Sequence, residues 1–509
     1  MSDTTNKRIA KNTLLLYVRL AFATIVSLYT SRVVLLALGV DDFGIYGVVG
    51  GIITLFTFVN GSMAGATSRF LTYELGQGNT NQLRDTFATA FLLHCAIALV
   101  IVLVAETVGL WFLTHKLVIP PERMDAAMVL YQLSIFATVL SITQVPYNAS
   151  IISHEKMHVY AYTEILCSVL KLGIAYSLAS CPGDKLVVYG LLMFSLPIIS
   201  TVIYRTYCRR HFAECKLRFV WNQSILKPML NFSGWDVYGN LSIVARTQGV
   251  NMLLNLFFGP AMNAAASIAT RVQLAIISFS INVLTASRPQ IIKQYAQGNH
   301  AGMVSLLRNT LRLNFFLLQV ACVPLLLEMD FVLDVWLNDV PANAVAFCKL
   351  TLLFCIFACM SSVIISGVHA TGHIKRPSII NGTLYLSVVP VSYFLYKNGA
   401  APWVAYLFNA LAAFVGMLSN AYTLRIHVPQ FSLRTLVVKD FLSCMAVFGV
   451  GYAVGYALHE NMEEGWVRFL LVCAATSILS TGVSYVALFP ASLREKIILS
   501  IRKLLRIGN

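Results

Sequence analysis

The chain has 509 residues, 58% hydrophobic and only 12% charged, with a net charge of +15. A soluble domain carries about twice that share of charge, so composition excludes an ordinary soluble protein and leaves an integral membrane protein. The excess of bases does not point to nucleic acid, because it sits mostly in short links beside apolar runs.

In chain order the apolar runs fall at 11–38, 43–64, 86–113, 126–152, 159–180, 185–207, 229–258, 262–287, 308–328, 344–368, 376–397, 402–424, 435–458 and 465–489. Each is roughly 20 residues or more, the length that crosses a bilayer as helix. The expected fold class is therefore an all-α integral membrane protein with about 14 transmembrane helices. Lys7, Arg8 and Lys11 lead into a first run too long for a signal-peptide core, with no small-residue cleavage site after it, so it is expected to remain as a span.

The links alternate in sign. One set (the N-terminus, 65–85, 153–158, 208–228, 288–307, 369–376, 425–439 and the tail) holds, with its flanks, about 25 of the 37 basic residues. The other set is acidic, with Asp41, Asp42, Glu328, Asp330, Asp334, Asp339, Glu460, Glu463 and Glu464. Bases favour the cytoplasmic side, which predicts both termini there. The tail 490–509 mixes Arg494, Lys496, Arg502, Lys503 and Arg506 with Ile and Leu. It reads either as a helix on an anionic leaflet or as a solvated tail. The eleven cysteines lie mostly inside spans and lack CxxC spacing, so they read as small buried hydrophobes.

The chain also repeats itself. Leu38-Gly39 ends the first span and Phe258-Gly259 the seventh, while Gln77-Gly78-Asn79 follows the second and Gln297-Gly298-Asn299 the eighth. Both pairs are offset by 220 residues (39 to 259, 78 to 298). Ser153-His154-Glu155-Lys156 after span 4 faces Gly372-His373-Ile374-Lys375 after span 10 at nearly the same offset. Two pseudo-symmetric six-helix bundles in parallel orientation follow, with two appended helices. The expected domains are an N-terminal lobe 1–207, a cytoplasmic linker 208–228, a C-terminal lobe 229–425, two further helices 426–489 and the basic tail 490–509. Parallel repeats imply a central cavity and alternating access.

The stretch SRVVLLALGVDDFGIYGVVGGIITLFTFVNGSMAGATSRFLTYELGQGN (31–79) resembles the start of Wzx-type polysaccharide flippases. So do QVPYNASIISHEKMHVYAYTEILCSVLKLGIAYSL (144–178), FVLDVWLNDVPANAVAFCKLTL (331–352) and GHIKRPSIINGT (372–383). That family lies in the multidrug/oligosaccharidyl-lipid/polysaccharide exporter superfamily. The resemblance implies a MATE-like fold and a bacterial inner-membrane location. It implies a substrate as well: undecaprenyl-diphosphate-linked oligosaccharide, turned toward the periplasmic leaflet for O-antigen or capsule assembly. Membrane lipids, a polysaccharide polymerase and other assembly proteins are the partners it implies.

Charges inside spans are the candidates for function, because each costs about 2.5–3.5 kcal/mol to insert at the bilayer centre. Arg246 lies about twelve residues from the outer end of span 7, roughly 18 Å at helical rise, too far to snorkel. It reads as a cavity-lining side chain or as half of a buried pair. Arg271 on span 8 divides between the same readings. Arg19 and Arg32 on span 1 lie nearer its ends, where snorkelling competes; Asn12, Arg19 and Thr30 fall within about 20° of one helical face. Guanidinium stays charged and forks onto phosphate oxygens, so these four arginines are the candidate substrate-binding set for a diphosphate. Asn240, Gln248, Asn251, Asn255, Asn263 and Gln273 supply sugar-type hydrogen bonds or, individually, interhelical ones. Asp236 is the best intramembrane carboxylate and Glu164 the second; either couples transport to an ion or pairs with a base. Lys171, seven residues after Glu164, is a candidate partner for it. Pro146, Pro197, Pro324 and Pro390 are expected to interrupt spans, and Gly234, Gly239, Gly249 and Gly259 to allow bending or close packing.

His154-Glu155-Lys156-Met157-His158 matches the HExxH pattern of zinc proteases. It sits at a basic rim between spans, where a helix break is expected, and the matching His369 to His373 keeps the spacing without the Glu. A polar elbow is the preferred reading. No Walker A or GxSxG element occurs. The chain is expected to be no enzyme and to need no cofactor and no metal. A cation or drug antiporter is the competing transport function, and a membrane metalloenzyme the competing class.

Overall fold

A computed structural model describes residues 3–39, 42, 45–46, 57–115, 119–178, 181, 183–216, 220–337, 340–488 and 494. Among the described residues there is no strand. The long helices are α1 (Asp3–Leu38), α2 (Thr57–Gln77), α3 (Thr80–His115), α4 (Met124–Ser153), α5 (Met157–Ser177), α6 (Lys185–His211), α7 (Gln223–Phe258) and α8 (Pro260–Ala296). They continue with α9 (His300–Leu327), the short α10 (Met329–Leu337), α11 (Ala344–Thr371), α12 (Lys375–Lys397), α13 (Val404–His427), α14 (Leu433–Glu460) and α15 (Trp466–Ala487).

Each predicted span meets a helix. The second is the partial case: most of 43–56 lies outside the described residues, and α2 takes up at Thr57. Eleven helices among the described residues are long and apolar enough to cross a membrane, and the chain is a multi-pass membrane protein. Several run well past their apolar cores: α9 begins at His300 rather than 308 and α8 ends at Ala296 rather than 287. Hydropathy tracks the hydrocarbon slab, about 30 Å thick, whereas helices continue into the headgroup layer on amphipathic turns. The prolines do not interrupt. Pro146, Pro197, Pro324 and Pro390 each lie inside a continuous helix, because inside a bilayer a broken helix would leave more unpaired backbone than one missing bond.

Helix ends carry the repeat. Gly39 and Gly259 stop α1 and α7 at φ +83° and +84°, and Gly78 and Gly298 stop α2 and α8 at +73° and +72°. These left-handed conformations favour glycine. Asn79 and Asn299 then cap α3 and α9, accepting from the backbone N–H of Gln82 (3.1 Å) and Gly302 (2.9 Å). The elbows after α4 and α11 turn on Glu155 (φ +61°) and Gly372 (φ +82°). Gly183 and Gly399, at +95° and +83°, add a further pair that stands one helix later in both halves.

The chain divides into two compact units. The first is Ser2–Val237 with Tyr295–Gln297; the second is Tyr238–Gln294 with Gly298–Asn509. They part inside α7, at Val237 and Tyr238. Residues 208–216, the start of the expected linker, pack into the first unit: Cys208, Phe212 and Cys215 join Tyr147, Tyr204 and Phe87 in one core. In that unit α4 is flanked by α2, α3 and α6, and α1 lies along α5. A π-helical turn lies at Ala105–Gly109 in α3, where Ala105 O accepts from both the Leu110 backbone N–H and the buried Tyr131 hydroxyl (2.7 Å). Gly109 is needed there, since a Cβ would stand 2.1 Å from that hydroxyl oxygen.

In the second unit α11 is the most enclosed of the spanning helices, with α9 and α13 against it. The appended helices α14 and α15 pack on α9 and are fixed at both ends. Asp440, wholly buried in a π-helical turn of α14, accepts from Arg308 and Arg312 of α9. At the other end Glu328, also wholly buried, accepts from Arg468 of α15 (2.9 Å) and meets His459 of α14 (2.9 Å). Of the tail 490–509 only Arg494 lies within the described residues.

Candidate functional site

Arg246 is 3% exposed in the second unit, enclosed by three other helices. Its Nη1 donates to Asn409 Oδ1 of α13 at 2.5 Å. The guanidinium lies 4.7 Å from the ring centre of Tyr385 on α12 and 5.0 Å from that of Phe354 on α11. No carboxylate of the described residues comes within 4 Å of it. A desolvated cation–π contact contributes about 2 kcal/mol and a hydrogen bond to a charged group about 1.5–3 kcal/mol. Together these match the insertion cost of an arginine, so the charge is held without being neutralised. The buried-pair reading thus finds no acid here, and the cavity-lining reading meets a side chain enclosed by aromatic rings.

The close approach of α7 to α12 makes this packing. A Cβ on Gly249 would stand 2.8 Å from Val389, and one on Gly382 would stand 2.5 Å from Tyr238. Gly249 therefore serves helix packing, whereas Gly234 and Gly239 have open space around them. α7 is not among the eleven apolar spans, since Arg246, Asn240, Gln248, Asn251 and Asn255 dilute its hydropathy. Gln248 and Asn255 are exposed on this unit, about 20° apart on the helix, and make no side-chain hydrogen bond to another helix within the described residues. Arg271 is exposed on α8, on a face shared with Ser267, Ala275 and Ser278.

The first unit holds the other candidates. Arg19 is half-buried on α1, its guanidinium 4.9 Å from the ring centre of Tyr160 on α5. Its Nε is buried with no acceptor among the described residues. The polar stripe of α1 faces inward: Asn12 and Thr30 are buried, and Asn12 donates to Glu155 O (3.4 Å). The backbone of Arg32 belongs to α1, but its side chain lies outside the described residues. Glu164 is half-buried on α5, near Tyr160 and Tyr204. It forms no ion pair with Lys171, which is exposed: two helical turns put about 10.5 Å between them. Asp236 is half-buried on the part of α7 that belongs to this unit.

The HExxH residues do not form a zinc site. Two histidines at i and i+4 need one continuous helix, yet α4 ends at Ser153, α5 starts at Met157 and Glu155 is left-handed between them. His154 turns to Glu214 (2.6 Å) and stacks on Phe212, while His158 packs near Tyr162. Among the described residues no group of three or more His, Cys, Asp or Glu is placed to hold a metal ion.

Asn409, Tyr385 and Phe354 were not marked by sequence, since Arg246 meets them only through the packing of four helices. The signal for the α9 clamps was available: Arg308 and Arg312 are spaced i and i+4, and Asp440 is the lone acid in a long apolar stretch.

No protein-family model matches the chain, and no curated protein does. Solved structures do. A proline-to-alanine mutant of a MATE protein superposes with a TM-score of 0.71 at 12% identity, covering 84% of this chain and 97% of that one. The fold is the MATE fold. An outward-facing multidrug resistance MATE transporter of the MOP superfamily matches at 0.67 and 14% identity, over 83% and 96% of the two chains. A MOP superfamily transporter from Pyrococcus furiosus matches at 0.67 and 14%, over 82% and 96%; its binding pocket is described as having reversed polarity that suggests a different function.

Proposed function

We propose that this MATE-fold protein is a flippase that moves polyprenyl-diphosphate-linked oligosaccharide across the bacterial inner membrane, from the cytoplasmic to the periplasmic leaflet. The observation that carries the reading is Arg246: a buried cation in the second unit, held by an amide and two rings and left without an acid. An anion-carrying cycle uses such a charge, since it replaces hydration that a diphosphate loses in the bilayer. Arg19 supports the reading from the first unit, with a buried Nε that has no acceptor within the described residues. The exposed amides Gln248 and Asn255 and the exposed Arg271 fit a wet, sugar-lined path better than a lipid-facing surface. In this account both termini are cytoplasmic, and Arg32 joins the arginine set.

A cation or drug antiporter is the second reading. It draws on the multidrug MATE neighbour and on the half-buried carboxylates Glu164 and Asp236. The two readings separate by mutation. Flipping requires Arg246→Ala to abolish surface-glycan export at normal membrane abundance while Glu164→Gln leaves export largely intact. An antiporter reverses that order and confers resistance to cationic compounds.

A further inference from the structure

The second unit is polarised in charge. From Tyr238 to Leu488 its acids are Glu328, Asp330, Asp334, Asp339, Asp440, Glu460, Glu463 and Glu464. Of those within the described residues, all but Asp440 cluster around the ends of α9 and α14 and the start of α15. Asp440 is wholly buried and taken up by Arg308 and Arg312. The opposite end, where α11 turns into α12 and α13 into α14, therefore shows no exposed carboxylate among its described residues. Between Val340 and Lys439 the sequence has no acid at all.

At that end three planar cationic or N–H-bearing groups come together. Arg376, exposed in the first turn of α12, lies 4.8 Å from the ring centre of Tyr422, itself 50% exposed on α13. It makes no ion pair and no hydrogen bond within the described residues. His373 stacks on His427 with ring centres 4.2 Å apart and planes 14° from parallel. Arg376 is near enough to His427 for their charges to interact. Arg425 is not part of the group, because it donates to Pro429 O and Phe431 O behind the end of α13.

We infer that Arg376, His373 and His427 form a binding site for the phosphate of an anionic phospholipid headgroup, with Tyr422 anchoring the site at the edge of the hydrocarbon. The chemistry favours a lipid over a soluble anion. An arginine resting on an exposed tyrosine of a spanning helix lies at the depth where headgroups sit, and amphipathic rings prefer that layer. Charge complementarity supplies the attraction, since an anionic leaflet binds basic residues near its surface. The site is independent of what the protein transports.

Native mass spectrometry of the purified full-length protein in neutral detergent tests this, with phosphatidylglycerol and phosphatidylcholine as probes. The wild type is expected to retain phosphatidylglycerol preferentially. Arg376→Gln is expected to weaken that binding about fivefold, the effect of one basic residue at a membrane surface, with phosphatidylcholine unchanged. Lys397→Gln, at the other end of α12, is expected to leave both unchanged. If Arg376→Gln does not fold, His373→Gln reads the same site. Equal retention of the two lipids, equal losses in Arg376→Gln and Lys397→Gln, or full displacement by inorganic phosphate would overturn the inference.

Discussion

The wholly buried Asp440 joins the half-buried Arg308 and Arg312: Arg308 Nε and Nη2 approach its carboxylate at 2.7 and 3.1 Å, and Arg312 Nε at 2.8 Å. Arg312 also donates to Leu488 O, just past α15, at 3.0 Å. One acid thus ties α9, α14 and the end of α15. Breaking a buried ion pair by removing one partner costs about 3–5 kcal/mol. Asp440→Asn is therefore expected to lower the thermal midpoint of the purified protein and its folded yield. Arg434→Gln, exposed on the same helix, is expected to change neither. A wild-type melting curve for Asp440→Asn would mean that the cluster does not hold the appended helices.

Gly109 and Tyr131 form a second dependent pair. A methyl at 109 collides with the Tyr131 hydroxyl, and overpacking of this kind costs about 1–3 kcal/mol. Tyr131→Phe removes the obstacle at the cost of one of the two hydrogen bonds to Ala105 O. In a double-mutant cycle read by thermal denaturation, the combined Gly109→Ala and Tyr131→Phe variant is expected to be more stable than the sum of the single losses. Strict additivity would contradict the contact.

Asn409 offers a test that separates the role of Arg246 from its packing. Asn409→Asp places a carboxylate where the amide now accepts from Arg246. The bundle is then expected to keep its stability, while the neutralised site loses its attraction for an anion and export falls at least tenfold at unchanged membrane abundance. Full export by Asn409→Asp would show that the free charge of Arg246 is not used.

Glu155 separates an elbow from a metal site. Its φ of +61° suits glycine better than glutamate. Glu155→Gly is expected to leave abundance and export near wild type, measured by membrane immunoblot and surface glycan, whereas a zinc base would be indispensable.

Much of this fold is legible in the sequence, because a bilayer imposes one period and one length on its spans. The links are legible too: Gly39 and Gly259, and Gly78 and Gly298, stop helices at nearly equal angles, since a left-handed stop selects glycine in both halves. Hydropathy does not mark helix ends where amphipathic turns extend beyond the slab, as at His300. The unusual depth of Arg246 followed from counting residues. Its ring and amide partners did not, because Phe354, Tyr385 and Asn409 come from three other helices and look like ordinary span residues. Glu164 and Lys171 share a helical face but form no ion pair, with about 10.5 Å of rise between them.

The proposed activity is the flipping of a lipid-linked oligosaccharide. Deleting its gene and analysing lipid-linked glycans by mass spectrometry, beside surface polysaccharide, tests that most directly. Accumulated polyprenyl-diphosphate oligosaccharide together with lost surface glycan, both reversed by the wild-type chain but not by Arg246→Ala, is the predicted result. Unchanged glycan lipids and unchanged surface polymer would contradict it and favour the antiporter.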